Sequence, residues 1–319
     1  MLRHMVGTAL AVLLAAYEAS AADLLKVAVG QRGQWESAIP ELGAAHGIFA
    51  KHGLELEVFY TQGTGETQQA VISGSADLGS GLNIFGVLAT ASKGAPIRIL
   101  GSTMTGVRDL FWYTRADAKF GSMRDAEGAR AGFSTVGSSF QTGVLAFERL
   151  YGVKYQLMQT GGIMTTYTQV QTGQIDVGFS AVPVLLDPEA QGKIKIIGRG
   201  GELAQFDQQT FRILAVNAGV LSTKANAVTR FMAAYKEAIN WFYTDPAALK
   251  AYAAHAGVSE SAAMRVRDEF TPQQAIAPDQ IKGVTNILQE AKTMKMVADG
   301  FDRAALGALL APGLVALEP

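Results

Sequence analysis

The chain has no cysteine among its 319 residues. It can form neither a disulfide nor the lipid-modified cysteine of an exported lipoprotein, and thiolate catalysis and thiolate metal sites are excluded. Histidine is nearly as scarce: His4, His46, His52 and His255 are the full set, and no two stand at H-x-x-x-H spacing. Charge is sparse too, with Asp, Glu, Lys and Arg at 17% and a net charge of -1. A protein that follows a phosphate backbone needs clustered Lys and Arg, so nucleic acid is not an expected partner. The phosphate-binding G-x-x-x-x-G-K-[ST] loop is missing, and GTGETQ (63–68) lacks the third glycine of a dinucleotide loop. GFSTV (132–136) and GFSAV (178–182) lack the last glycine of a nucleophile elbow. No enzymatic activity, metal or cofactor is expected.

What is abundant is apolar surface. Hydrophobic residues make up 49% of the chain, enough at this length for two α/β cores. The first residues have the pattern of a secretory signal: a basic start in MLRH, an apolar run from Met5 to Ala16, and small residues in AYEASAAD. That run is about half of the roughly 20 apolar residues needed to span a bilayer. Residues 1–22 are therefore expected to be cleaved, leaving a soluble periplasmic protein without a lipid anchor.

Further on, short strand-like runs alternate with helical periodicity. Leu25–Val29, Leu54–Tyr60 and Ile97–Leu100 predict strands, separated by helices over Ile39–Lys51 and Phe85–Ser92. The same grammar recurs from Ala129 to Ile197, with a helix from about Phe140 to Tyr151. Such alternation predicts parallel sheets with crossover helices. The C-terminal third is mostly helical after one strand at Phe211–Val216. It carries apolar stripes at Val228, Phe231, Met232, Tyr235, Ile239 and Phe242, and again at Ile281, Val284, Leu288 and Ala291.

One phrase occurs twice. VISGSADLGSG (71–81) and VQTGQIDVGFS (170–180) each end a helix at a glycine and start a buried strand at Asp-apolar-Gly, with Asp77 and Asp176 in matching places. Each copy opens into a small, polar loop, Ser80–Asn83 in one and Ser180–Pro183 in the other. In open α/β sheets ligands sit beyond the carboxyl ends of the strands, so two such loops on two lobes would face one cleft. The aspartates themselves are expected to be structural.

Several residues are candidates for that cleft. Ser138 and Ser139 precede a helix, where a hydroxyl either caps the helix or joins its free N–H groups in holding an anion. Gln141 and Thr142, one position into that helix, are candidates of the same kind. Trp35, in QRGQWES, either walls a ligand or packs between loop and helix. Ser80, Asn83 and Ser180 are either ligand donors or turn residues. Arg108 and Arg212 are either solvated or pinned to a carboxylate or sulfonate.

The chain resembles the type II solute-binding proteins of ABC importers, in the nitrate/sulfonate/taurine group that also includes pyrimidine-precursor binders. KVAVGQ, AAHGIFAKHGLELEV, SGSADLGSG, GSMRDAEGARAGFS, SSFQTGVLAFERLYGV and FMAAYKEAINWFYTDP carry the resemblance, in order, from about residue 24 to 319. It implies an α/β fold of two Rossmann-like lobes joined by two hinge crossings, near Ser102–Tyr113 and Glu202–Phe211. Lobe 1 would comprise 23–103 and 212–319, and lobe 2 would comprise 104–211. It further implies a monomer that captures a small organic anion, sulfonate or carboxylate, by hinge closure and passes it to a membrane permease with a separate ATPase subunit. Taurine binders of this group tend to carry an acidic residue near position 212, so Arg212 argues against taurine. The alternatives are a neutral heterocycle such as a pyrimidine, or a sensing role for a receptor. Related enzymes on this fold that depend on cysteine are set aside because the chain has none.

Overall fold

The computed structural model describes residues 22–319; the expected signal segment lies outside the described residues, apart from its last position. The chain begins β1 (Asp23–Val29), α1 (Trp35–Ala45), α2 (Ile48–Lys51), β2 (Leu54–Tyr60), α3 (Thr64–Ser73), β3 (Leu78–Asn83), α4 (Ile84–Ala91) and β4 (Ile97–Thr105). It continues β5 (Leu110–Arg115), β6 (Arg130–Phe133), α5 (Ser139–Tyr151), β7 (Gln156–Gln159), α6 (Ile163–Gln171), β8 (Gly178–Ala181), α7 (Leu186–Ala190) and β9 (Ile194–Arg199). The remainder is β10 (Thr210–Asn217), α8 (Ala218–Thr223), α9 (Ala225–Thr244), α10 (Pro246–Ala256), α11 (Glu260–Arg265), β11 (Gln280–Ile281), α12 (Val284–Thr293), α13 (Arg303–Gly307) and β12 (Ala316–Leu317).

Two sheets of the same design result. The first runs β2-β1-β3-β10-β4, with β1 parallel to β2 and β3, and β10 antiparallel to both of its neighbours. In the second, β5 lies antiparallel between β8 and β9, β6 pairs parallel with β7, and a bridge from Ala131 to Val177 connects the two parts. The order β7-β6-β8-β5-β9 thus repeats the first sheet. In each sheet the antiparallel strand is the one delivered by a crossing from the other lobe: residues 106–109 lead into β5, and residues 200–209 lead into β10. These two crossings place the carboxyl ends of both sheets against each other.

The central strands β3 and β10 are buried along almost their whole length, as strands covered on both faces must be. On α9 the predicted stripe Val228, Phe231, Met232, Tyr235, Ile239 and Phe242 is buried. The helix expected over Ile39–Lys51 is instead two helices, because Gly47 takes a left-handed φ of 79° and ends the hydrogen-bond ladder. The last stripe also differs: Ile281 belongs to β11, Gly283 with φ 68° starts a new helix, and that helix buries Val284, Ile287 and Ala291 while Leu288 is only partly covered.

The duplicated phrase forms the same joint in both lobes. The Asp77 amide donates to the Lys26 carbonyl at 2.9 Å and its Oδ2 accepts the Lys26 amide at 2.9 Å. The Asp176 amide donates to the Arg130 carbonyl at 2.9 Å, and its Oδ2 accepts the Arg130 amide at 2.8 Å. Each aspartate thereby completes the start of a parallel strand pair, which explains an acidic residue at the amino end of an interior strand.

Candidate functional site

Where the two sheets meet, the strand ends deliver polar side chains that are almost fully buried. Glu36 stands in the first turn of α1, Ser80 and Asn83 in β3, Asp109 at the end of the first crossing, and Arg212 in β10. The second lobe adds Ser134 after β6 and Ser138, Ser139 and Thr142 around the start of α5. All of these are 2% exposed or less, so each polar atom needs a partner inside the protein or on a bound molecule.

At the centre is a three-membered charge cluster. Arg212 Nη2 donates to Asp109 Oδ2 at 2.7 Å, and its Nε stands 3.0 Å from Glu36 Oε1 in an ion pair whose angle falls short of a hydrogen bond. Burial pushes the Glu36 carboxyl above its usual range; Arg212 pulls it back and Asp109 adds to the rise. Among the described residues Arg212 is the one buried cation, and it faces two carboxylates. The cluster therefore has no positive charge to spare, whether Glu36 is ionised or neutral. Both Glu36 oxygens and Asp109 Oδ1 lack a hydrogen-bond partner, so three buried acceptor atoms converge here.

The predicted residues fall into distinct groups. The Ser139 hydroxyl and the Asn83 Nδ2 are buried and unpaired, and the buried Ser80 hydroxyl lies beside that of Tyr235. Ser138 uses its hydroxyl as the N-cap of α5, accepting from the Gln141 amide at 3.2 Å. Gln141 is turned back on its own loop, its Oε1 accepting from the Gly137 amide at 2.7 Å. Ser180 donates to the Val184 carbonyl at 2.8 Å. Asn83 caps α4 through the Gly86 amide at 3.1 Å, and Thr142 of the other lobe donates to the same oxygen at 3.4 Å. Trp35 is enclosed within the first lobe, edge-on to Phe242, Tyr243 and Tyr252 with centroids 5.1, 5.7 and 4.5 Å away. Arg108 stands outside the cluster, exposed and bidentate to Asp207 at 3.1 and 2.9 Å, where it ties one crossing to the other.

Glu36, Asp109, Gln31, Ser134 and Thr135 also contribute buried, unpaired polar atoms but escape a reading of the sequence. Glu36 was within reach, because it follows Trp35 in a loop already expected to face the cleft. Asp109 stands one residue after Arg108, yet nothing local distinguishes the buried member of that pair from the exposed one. Gln31 reaches across the cleft, its Oε1 accepting the Ile163 amide at 3.0 Å.

The model of the family described as NMT1/THI5-like matches residues 41–249. A comparison with curated proteins returns no match. Among solved structures, the Candida albicans CA3427 gene product, with the generic periplasmic binding protein fold, aligns at 15% identity over 93% of this chain and 98% of its own, with a TM-score of 0.75. The aliphatic sulphonate binding protein SsuA of Escherichia coli aligns at 15% identity over 93% of this chain and 94% of its own, TM-score 0.67. The desulfurization enzyme DSZB aligns at 16% identity over 92% of this chain and 97% of its own, TM-score 0.65. At such identities the likeness establishes the periplasmic binding protein fold and nothing finer.

Proposed function

Since the chain belongs to the NMT1/THI5-like family, we propose that it is a solute-binding protein: its lobes, 23–103 with 212–319 and 104–211, close on a small molecule at the Glu36–Asp109–Arg212 cluster. The observation that carries this is the meeting of buried, unpaired acceptors from Glu36 of the first lobe and Asp109 of the first crossing around Arg212, which a ligand with matching groups would satisfy. Closure is then a population shift, driven by contacts that the solute makes only when both lobes reach it. Binding without turnover is supported by the cysteine-free sequence and by the engagement of His52 with Glu237 and of His255 with Glu41, neither a member of the cluster.

The cluster favours a solute that donates hydrogen bonds. With Arg212 held by two carboxylates, an anion would find no free cation, whereas an amino-substituted heterocycle can donate N–H groups to Glu36 and Asp109. A second reading, a sulfonate or carboxylate, is supported by the free Ser139 hydroxyl at the positive end of the α5 dipole. Export to the periplasm and delivery to an ABC permease belong to the same proposal, resting on the fold and the apolar N-terminal run.

Thermal unfolding in the presence of cytosine, 4-aminopyrimidine, alkyl sulfonates, benzoate and nitrate tests both. A ligand at about 100 times its Kd stabilises by roughly 2.7 kcal/mol, enough for a clear rise in midpoint. A rise with the aminopyrimidines alone is expected. A rise with the sulfonates, benzoate or nitrate alone transfers the site to the anion reading.

A further inference from the structure

We propose that closure is held by a latch made of protein alone, in which the first lobe caps two helices of the second. The inference rests on the two-lobe closure above, but it concerns bonds that need no solute. The first N–H groups of a helix have no partner within it. At α6 the capping position is Gly162, which has no side chain to offer, and the Ile163 amide is accepted instead by Gln31 Oε1 of the first lobe at 3.0 Å. At α5 the Ser139 amide is accepted by Thr64 Oγ1 of the first lobe at 3.1 Å. Both helices that face the cleft from the second lobe thus take a cap from the opposite side. Gln31 is held in place for this by its loop, where the Tyr252 hydroxyl donates to the Gly33 carbonyl at 2.8 Å.

The lobes also meet backbone to backbone. A Cβ added at Gly65 would lie 2.1 Å from the Val136 carbonyl oxygen, and one at Gly86 would lie 2.6 Å from that of Gly137. Both glycines are in helices, so closeness to the other lobe and not backbone strain demands them. Bonds and contacts of this kind favour the closed arrangement in the free protein, and a solute then acts on an equilibrium that is already tilted.

The test uses solute-free protein. The chain has no native cysteine, so Ser73→Cys and Thr172→Cys, exposed positions at the ends of α3 and α6, can be spin-labelled specifically and the interlobe distance measured by pulsed EPR. A short-distance population is expected. Gln31→Leu and Thr64→Val should each lower the ratio of short to long distances about fivefold, the worth of one net hydrogen bond. Gln31→Glu, which keeps an oxygen at a helix N-terminus, should retain it. Gly65→Ala should remove the short population while the thermal midpoint holds, since alanine suits the helix better than glycine. A single long distance in the otherwise unaltered protein overturns the latch. So does a short population untouched by both Gln31→Leu and Thr64→Val, or a loss in Gln31→Glu as complete as in Gln31→Leu. Failure of every solute to shift the unfolding midpoint would sink the proposed function and leave these distances standing.

Discussion

The first lobe holds Asp77 between the Lys26 amide and the Lys224 ammonium, 2.9 and 3.1 Å away, whereas the second grips Asp176 with the Arg130 amide and both arms of the Arg130 guanidinium. A second matched pair lies nearby. Thr61 and Thr67 share a hydroxyl contact of 2.7 Å at the start of α3, and Thr160 and Thr166 share one of 2.6 Å at the start of α6. Thr61 and Thr160 each donate to a strand-end carbonyl, of Val29 and Phe133, at 3.2 Å. The backbone at these joints has the same needs in both lobes and receives the same side-chain answers. Away from the backbone the buried polar groups differ: the first lobe brings the charges of Glu36 and Arg212, whereas α5 and the loop before it bring the uncharged hydroxyls of Ser134, Ser138, Ser139 and Thr142.

The largest way to break that contrast is Arg212→Met. It leaves Glu36 and Asp109 buried without their cation, a change that typically costs about 3–5 kcal/mol. The unfolding midpoint should fall on the order of 10 °C. A midpoint that hardly moves would mean that the carboxylates are hydrated or neutral in solution.

Asp176→Ala against Asp77→Ala sharpens the comparison of joints. The Arg130–Asp176 pair is partly exposed, with side chains 40% and 30% accessible, so screening reduces its worth. Loss of its charge-assisted bonds should still lower the unfolding midpoint more than the change at Asp77 does. The acid limb has a definite sign. Hydrogen bonds from Arg130 hold the Asp176 carboxyl below its ordinary range, against a smaller opposing effect of burial. Its stabilisation is therefore complete above the unfolded aspartate value and is lost as pH falls through the lowered one. The gap between the parent protein and Asp176→Asn, followed by thermal denaturation from pH 6 to pH 2, should close at the acid end; a gap that widens there contradicts the assignment.

The smallest effect separates two adjacent serines. Ser138→Ala removes an N-cap and should cost about 1 kcal/mol of stability. Ser139→Ala removes a hydroxyl with no partner in the protein, so it should leave the midpoint within about 0.5 kcal/mol and weaken whichever solute binds in the cleft. Equal effects on stability at both positions would make Ser139 a second cap.

Much of the frame was legible because its signals are local. Alternating apolar runs gave most strands but not β5, whose residues read in sequence as part of a crossing; the apolar stripe of α9 marked a packing face, and the repeated Gly-x-x-Asp phrase located both αβ joints. Short-range ambiguity caused the misses. An apolar period runs smoothly through Gly47 and from Ile281 into Val284, and only the left-handed backbone at Gly47 and Gly283 breaks it. The candidate site was legible as a set of loops but not as a set of partners. Ser138 and Ser139 are interchangeable in sequence and differ only in which hydroxyl the α5 backbone takes. Arg212 looks like a free anion anchor until Glu36 and Asp109, both more than a hundred residues earlier in the chain, are brought to it.

By itself, then, the sequence determined the strand and helix grammar, the duplicated joint and the absence of thiol chemistry, since each depends on residue identity over a few positions. The tertiary structure alone decided the charge balance of the cleft and the caps that pass from one lobe to the other. Those depend on pairings between buried groups, and no local propensity records which distant side chain will satisfy a given charge or N–H once water is excluded.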